Sequence, residues 1–162
     1  MSATKPDWKF LFAHPAHVLA LGFGTGLSPV APGTFGTLVA IPLAAVLRPW
    51  GDAVFAAAIV AFTLIGVWAA DVTGRDLGES DHGAIVWDEV VAFLLVLFFV
   101  GDGRLQVAFA FLLFRLFDIT KPPPIGWLDR TVKGGFGTML DDFVAAGYAL
   151  VAFAIGVRVL GA

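Results

Sequence analysis

Two pairs of adjacent acids stand at the edges of apolar stretches, where a charged group is costly. Asp88 and Glu89 lie in VWDEVVAFLL, and Asp141 and Asp142 lie in MLDDFVAAGYA. Adjacent carboxylates repel each other unless a cation or a proton lies between them. Mg²⁺ prefers a small number of carboxylates together with water and phosphate oxygens. We therefore predict that these four residues are ligands of Mg²⁺.

A simpler explanation of each acidic pair is stabilisation of a helix N-terminus. An acid in the first turn contributes roughly 0.3–1 kcal/mol through the helix dipole, and Asp is a favoured N-cap. Capping requires only one acid of each pair, however. Two pairs in the same position relative to an apolar stretch are also a stronger signal for a metal site than either pair alone. Both explanations stay open from the residues themselves.

A third charged segment, DITKPPPIGWLDR, interleaves acids with bases between two apolar stretches. Asp118 and Lys121 share a helix face for as long as the preceding helix continues. Pro122 disfavours helical geometry at Lys121, and three successive prolines predict a rigid, extended segment. We expect Lys121 and Arg130 to bind phosphate, with Asp129 orienting Arg130. Asp118 is predicted as a further metal ligand or as a general base that accepts a proton.

The stretch GFGTGLSPVAPGTFGTL, residues 22–38, is rich in glycine. Glycine allows close backbone approach, and backbone N–H groups can hold an anion. It is not a P-loop, because no Gly-Lys-Ser/Thr follows. Gly24 and Thr34 are its candidate substrate contacts, and Lys133, just before GGFGT, is a third candidate base. Tight helix packing explains the glycines equally well.

The composition places these groups in a membrane protein. Of 162 residues, 59% are hydrophobic and 14% are charged, and the mean hydropathy is +0.88. Soluble domains carry about a quarter charged residues, so most of this apolar excess must face lipid. The net charge of −3 gives no reason to expect nucleic acid as a partner. Residues 1–162 are predicted as one membrane domain with a retained N-terminus.

Five apolar stretches predict an all-α bundle of about four to five transmembrane helices. They cover residues 34–47, 53–70, 84–100, 105–117 and 143–160. A membrane-spanning helix needs about 20 residues, so the first and fourth stretches are expected to be tilted, capped by interfacial residues or re-entrant.

This arrangement puts most of the charge on one side of the membrane. Seven of the ten Lys and Arg and eleven of the thirteen acids fall there; the exceptions are Arg48, Arg104, Arg158, Asp52 and Asp102. The excess of Lys and Arg predicts that this side is cytoplasmic. Carboxylates contribute little to topology, so the acids need another cause. The longer loops of this side account for several of them, namely Asp7, Asp76, Glu79 and Asp81. They do not account for the two acidic pairs at the ends of apolar stretches.

Together, acids for a metal, bases for phosphate and a glycine-rich backbone indicate phosphoryl chemistry on a lipid headgroup. The absence of cysteine excludes a cysteine phosphatase, and metal-assisted attack by water is the mechanism that remains. One alternative is another headgroup enzyme, such as a phosphoalcohol transferase. A second is a small ion or proton transporter using Asp88 and Glu89 as a relay, which should place acids near mid-bilayer.

Four segments resemble, in order and spacing, the signature blocks of the phosphatidylglycerophosphatase A family. They are GFGTGLSPVAPGTFGTL, DHGAIVWDEVVAF, FRLFDITKPPPIGWLDR and GGFGTMLDDFVAAGYA, within about residues 17–150. Pro123 departs from the family pattern, in which an aromatic residue usually stands at that position, but no charged group changes.

The resemblance implies a Mg²⁺-dependent enzyme of the bacterial inner membrane. It would remove the terminal phosphate of phosphatidylglycerophosphate, its phospholipid substrate, to give phosphatidylglycerol. The positions that match the family motifs are the acids and bases Asp88, Glu89, Asp118, Lys121, Asp129, Arg130, Asp141 and Asp142.

Overall fold

The computed structural model describes residues 5–160 and, for Leu160, the backbone only. Within this range the chain is helical and contains no strand, which confirms the all-α prediction. The helices are α1 Trp8–Ala13, α2 Pro15–Ala20, α3 Pro32–Leu47, α4 Asp52–Leu77, α5 Trp87–Val100, α6 Arg104–Thr120, α7 Ile125–Thr131 and α8 Gly134–Leu160; short 3-10 segments cover Gly22–Leu27 and Arg48–Trp50.

Three helical segments of the described chain are long and apolar enough to cross a membrane: Pro32–Trp50, Asp52–Leu77 and Gly134–Val159. Their outer surfaces carry large exposed apolar side chains, as does α6. Examples are Val46, Val60, Leu64, Leu112, Leu116, Val151 and Ile155. Such a surface is suited to lipid rather than to water.

Helix α5 is the core of the bundle. It packs against α3, α4, α6 and α8, and a continuous run from Val90 to Leu94 is buried. The sequence predicted this stretch as a membrane span of residues 84–100, but the helix begins at Trp87 and has 14 residues. At 1.5 Å per residue it is about 21 Å long, which is shorter than the roughly 30 Å of bilayer hydrocarbon. Its apolar character serves helix packing.

Helix α8 begins earlier than the predicted fifth stretch. It starts at Gly134 rather than at Phe143, so Asp141 and Asp142 lie about two turns inside the helix and cannot be its N-caps. A Cβ at Gly135 would lie 1.9 Å from the carbonyl oxygen of Val67. The glycines before Asp141 therefore permit α8 to approach α4 closely.

The three prolines do not form the extended segment that the sequence predicted. They make a turn that ends in α7, with the Ile125 N–H donating to the Pro122 carbonyl at 2.8 Å and the Trp127 N–H donating to the Pro124 carbonyl at 3.0 Å. Proline has a backbone φ that suits the start of a helix, where its missing N–H is not needed. The turn folds α7 back against α8.

The short helices α1 and α2 were not predicted. Buried His17 fastens them to α4, because its Nε2 lies 2.8 Å from Oδ2 of Asp76 and its Nδ1 lies 2.8 Å from the Phe10 carbonyl. The ring of Phe10 also stacks on the imidazole, with 4.0 Å between ring centroids.

Candidate active site

The charged residues gather where five helix ends meet. The N-terminal turns of α3, α5 and α8 and the C-terminal turns of α4 and α6 lie at this end of the bundle, because successive long helices run in opposite directions. Asp88 and Glu89 enter from the first turn of α5. Asp142 enters from α8, and Arg115 and Asp118 enter from the last turns of α6.

Three carboxylates converge into what we call the acidic cluster: Asp88, Glu89 and Asp142. One oxygen of each lies within 4.8 Å of the others. Asp88 is 7% and Asp142 3% exposed. Asp88 Oδ1, Glu89 Oε2 and Asp142 Oδ2 have no hydrogen-bond partner within the described residues. Buried carboxylate oxygens require a proton, a donor or a cation, so the donor set fits a hard divalent cation such as Mg²⁺.

Arg115 closes one side of the acidic cluster. Its Nη1 lies 3.5 Å from Oε1 of Glu89 and donates a hydrogen bond to Oδ2 of Asp118. The same nitrogen lies 3.3 Å from Oγ1 of Thr37, whose hydroxyl donates to the Gly33 carbonyl at 2.8 Å. Arg115 supplies one positive charge beside four carboxyl groups, those of Asp118 and of the acidic cluster, so negative charge is in excess here.

A second group, which we call the lysine cluster, lies beside the first. Lys121 Nζ donates to Asp129 Oδ1 at 2.6 Å and to Asp141 Oδ2 at 2.8 Å. Asp141 and Asp142 are consecutive on α8, so their side chains leave the helix about 100° apart. Asp141 thus turns to Lys121 while Asp142 turns to Asp88 and Glu89. Asp141, expected as a fourth metal ligand, already has an ammonium partner.

Lys121 and Asp129 hold each other in their charged forms. Burial alone would lower the pKa of Lys121, but its bonds to Asp129 and Asp141 outweigh burial and raise the pKa above its usual range. Partial burial opposes ionisation of Asp129, yet the bond to Lys121 lowers its pKa. Partial desolvation and the nearby charge of Asp141 raise the pKa of Asp81 to about 6, although the residue keeps an exposed surface.

Contrary to the prediction from the sequence, Asp129 does not orient Arg130. Asp129 pairs with Lys121 rather than with Arg130, because the proline turn brings Lys121 back over α7. Arg130 is exposed on α7. Lys133 is exposed and donates to the Asp129 carbonyl at 2.9 Å. Arg130 and Lys133 therefore lie next to the lysine cluster, at the solvent edge of the site.

The glycine-rich stretch contributes different residues from those predicted. A Cβ at Gly24 would meet the Trp8 ring at 3.2 Å, so Gly24 packs against α1. At Gly33, a Cβ would lie 2.1 Å from Glu89 Oε1, and Thr37 rather than Thr34 contacts Arg115. Gly33 and Thr37 are spaced by one helical turn, a periodicity that could have identified them once residues 32–47 were treated as a helix.

Sequence reasoning also left Arg115 and Asp81 outside the site. Arg115 lies three residues before Asp118, so helical spacing placed it on the correct face. Asp81 opens the segment DHGAIVWDE, but no periodicity connects this loop residue to Asp129 or Asp141.

Fold and site define a helical membrane protein that carries a buried acidic cluster at one end of its bundle. The family model described as phosphatidylglycerophosphatase A matches residues 18–157. The chain therefore belongs to the phosphatidylglycerophosphatase A family.

Individual relatives agree with this assignment. A phosphatidylglycerophosphatase A of Escherichia coli (strain K12) is 43% identical over 136 residues, 82% of this chain and 78% of the relative. A protein with the same name from Haemophilus influenzae is 42% identical over 158 residues, 96% of this chain and 97% of the relative. A putative phosphatidylinositol-3-phosphatase of Bacteroides thetaiotaomicron is 38% identical over 157 residues, 89% and 94% of the two chains. No solved structure matches the chain significantly.

Proposed function

We propose that this protein hydrolyses the terminal phosphomonoester of phosphatidylglycerophosphate, giving phosphatidylglycerol and inorganic phosphate. Family membership supports the phosphatase activity, and the names of the two relatives at 43% and 42% identity support the substrate. The observation that carries the chemistry is the acidic cluster, in which three buried carboxylates converge with unpartnered oxygens.

Asp88, Glu89 and Asp142 would hold Mg²⁺. When bound, the ion would orient the attacking water and offset charge on the phosphate. Arg115 holds Asp118 and Glu89 in place through its guanidinium, and its position beside the cluster suits it to bind a phosphate oxygen. Asp118 remains the candidate base, in contact with Arg115.

Lys121, Arg130 and Lys133 would attract the dianionic phosphate at the solvent edge. Lys121 is fixed by Asp129 and Asp141, so it offers a positioned ammonium rather than a mobile one. The reaction consumes one water: its oxygen joins phosphorus, the P–O bond to the glycerol carbon chain breaks, and the released alcohol oxygen takes a proton.

We further propose that five helices, α3 to α6 and α8, lie in the membrane, with the short α5 enclosed by the others and the site on the cytoplasmic face of the inner membrane. The excess of Lys and Arg at the site end supports this orientation. The chain has no cysteine, so single-cysteine variants can test it. An impermeant maleimide should label Glu79→Cys only in inverted vesicles and Asp102→Cys only in right-side-out vesicles. The reverse pattern would overturn the orientation.

The test of function is phosphate release from phosphatidylglycerophosphate by purified protein in detergent micelles, with Mg²⁺ or with a chelator. Release that requires Mg²⁺ is the expected result. A folded protein that releases no phosphate from this lipid would overturn the proposed activity, and release that persists in chelator would overturn the metal assignment. The transporter alternative gains no support, since Asp88, Glu89 and Asp118 lie in terminal turns of their helices and Asp142 about two turns inside α8, all toward one end of the bundle.

A further inference from the structure

An apolar groove of about 540 Å³ runs along the outside of the bundle between α6 and α8. One face of α8 forms most of it, with Gly147, Val151 and Ile155 among the lining residues, and Phe117 of α6 forms the opposite wall. Val151 and Ile155 are mostly exposed, so the groove opens sideways toward lipid.

The groove ends close to the lysine cluster along both of its helices. Asp141 lies three residues before Val144, the first groove residue of α8, so both stand on the same stripe of the helix. Lys121, the residue that follows α6, lies four residues beyond Phe117, and its N–H donates to the Phe117 carbonyl at 2.9 Å. At the junction the Tyr148 hydroxyl donates to the Pro123 carbonyl at 2.8 Å. The polar end of the groove is therefore the Lys121–Asp141 pair.

The depth of the groove matches one leaflet. Eleven residues separate Val144 from Ile155, which is about 16 Å along the helix, and half of the bilayer hydrocarbon is about 15 Å. A second groove on α8, lined by Ala154 and Arg158 together with Phe99 of α5, lies at the opposite end of the bundle. A lipid whose headgroup is at the site can reach the first groove but not the second.

We propose that the α6–α8 groove binds an acyl chain of the lipid substrate and so positions the phosphate at the site. This inference rests on the proposed function, because it assumes that the substrate is a membrane lipid. The acyl chain would lie against Gly147 and Val151, with its glycerol end near Tyr148. The headgroup would extend past Lys121 toward the acidic cluster.

Gly147 provides a direct test, because a Cβ placed there meets no atom within 4 Å. Gly147→Leu should fill the groove without displacing protein atoms. We expect kcat/KM on dioleoyl phosphatidylglycerophosphate to fall about tenfold or more, with no change on the deacylated headgroup, glycerophosphoglycerol phosphate. Equal losses on both substrates, or no loss on either, would overturn the groove assignment.

A matched pair of variants adds a control on the same helix. Ala152 lines the α6–α8 groove, and Ala154 lines the groove at the other end. Ala152→Leu should lower kcat/KM on the dioleoyl lipid more than on a dihexanoyl lipid, whereas Ala154→Leu should leave both values unchanged. Thermal unfolding of all variants checks that the fold is retained. The same loss in both variants would contradict the proposal.

Photo-crosslinking separates failure of the groove from failure of the activity. Wild-type protein in chelator is mixed with phosphatidylglycerophosphate that carries a diazirine halfway along one acyl chain. Attachment concentrated at Val144, Gly147, Val151, Ala152 and Ile155 supports the groove. Attachment concentrated at Leu150, Phe153 and Ala154, or spread over the outer surfaces of α3, α4 and α6, overturns it. Phosphate release by the wild-type protein judges the proposed function independently.

Discussion

The acidic cluster and the lysine cluster are neighbours built from the same residue types, yet they satisfy charge in different ways. In the lysine cluster, Lys121 has two carboxylate partners within 2.8 Å and keeps a partly exposed side chain. In the acidic cluster, the guanidinium of Arg115 contacts Glu89 and Asp118, and one oxygen each of Asp88, Glu89 and Asp142 has no partner in the described chain. Asp129 and Asp141 each have an ammonium partner, whereas the acidic cluster has carboxylate oxygens that a proton, a donor or a cation must satisfy.

This difference appears most sharply in two consecutive residues of α8. Asp141 accepts from Lys121, and Asp142 faces Asp88 and Glu89. Identical side chains one position apart therefore serve different halves of the site. The same Asp→Asn substitution should therefore have different effects at Asp141 and at Asp142.

The largest expected effect is that of Asp142→Asn. Losing a metal ligand should reduce kcat/KM about a thousandfold, since a metal supplies several kcal/mol of charge stabilisation. It should also abolish any rise in Tm on adding Mg²⁺. Asp141→Asn is the matched control: it should lower activity about tenfold to a hundredfold and keep the Mg²⁺-dependent rise in Tm. Equal loss of that rise in both variants would show that Asp141 is also a ligand.

Arg115→Gln is expected to come next. Removing a buried guanidinium leaves Glu89 and Asp118 without their partner, and breaking such a pair costs about 3–5 kcal/mol of folding stability. We expect a lower denaturation midpoint in chelator and about a hundredfold loss of activity. Arg104→Gln, an exposed arginine at the other end of the bundle, serves as the control. Similar effects of both substitutions would remove Arg115 from the site.

Lys121→Met tests the lysine cluster. We expect kcat/KM to fall about tenfold to a hundredfold, with much of the change in KM, since a fixed phosphate contact is lost. Lys133→Met should have a smaller effect because Lys133 is exposed and bonds only the Asp129 carbonyl in the described chain. A larger effect of Lys133→Met would reverse this ranking and move the phosphate contact to the solvent edge.

The smallest expected effect concerns Asp81 and pH. Because the pKa of Asp81 is raised to about 6 in the folded protein, the folded state binds its proton more tightly than the unfolded chain does. Stability from this group is gained as pH falls through about 6 and is lost above it. Asp81→Asn should therefore raise Tm by a degree or two at about pH 8 and by nothing at about pH 4. Glu79→Gln, an exposed neighbour, should leave Tm unchanged at both values.

The long helices followed from the sequence because apolar runs are a local signal, and the two acidic pairs pointed to the end of the bundle where Asp88, Glu89 and Asp142 meet. The start of α8 did not, since GGFGT resembles a loop until the approach of Gly135 to Val67 is known. The pairing of Lys121 with Asp129 and Asp141 depends on the proline turn and on the packing of α7 against α8. Those contacts are tertiary, and residue spacing carries no signal for them.

The short central helix has a consequence for how the protein is made. Helix α5 has 14 residues and begins with two acids, so it is poorly suited to enter a bilayer as an independent segment. We expect it to be retained there only after α6 and α8 have been synthesised and have enclosed it. A nascent chain ending before Gly134 should then leave α5 open to protease, whereas the full chain should protect it. In this view, insertion of the last helix and assembly of the site are the same event.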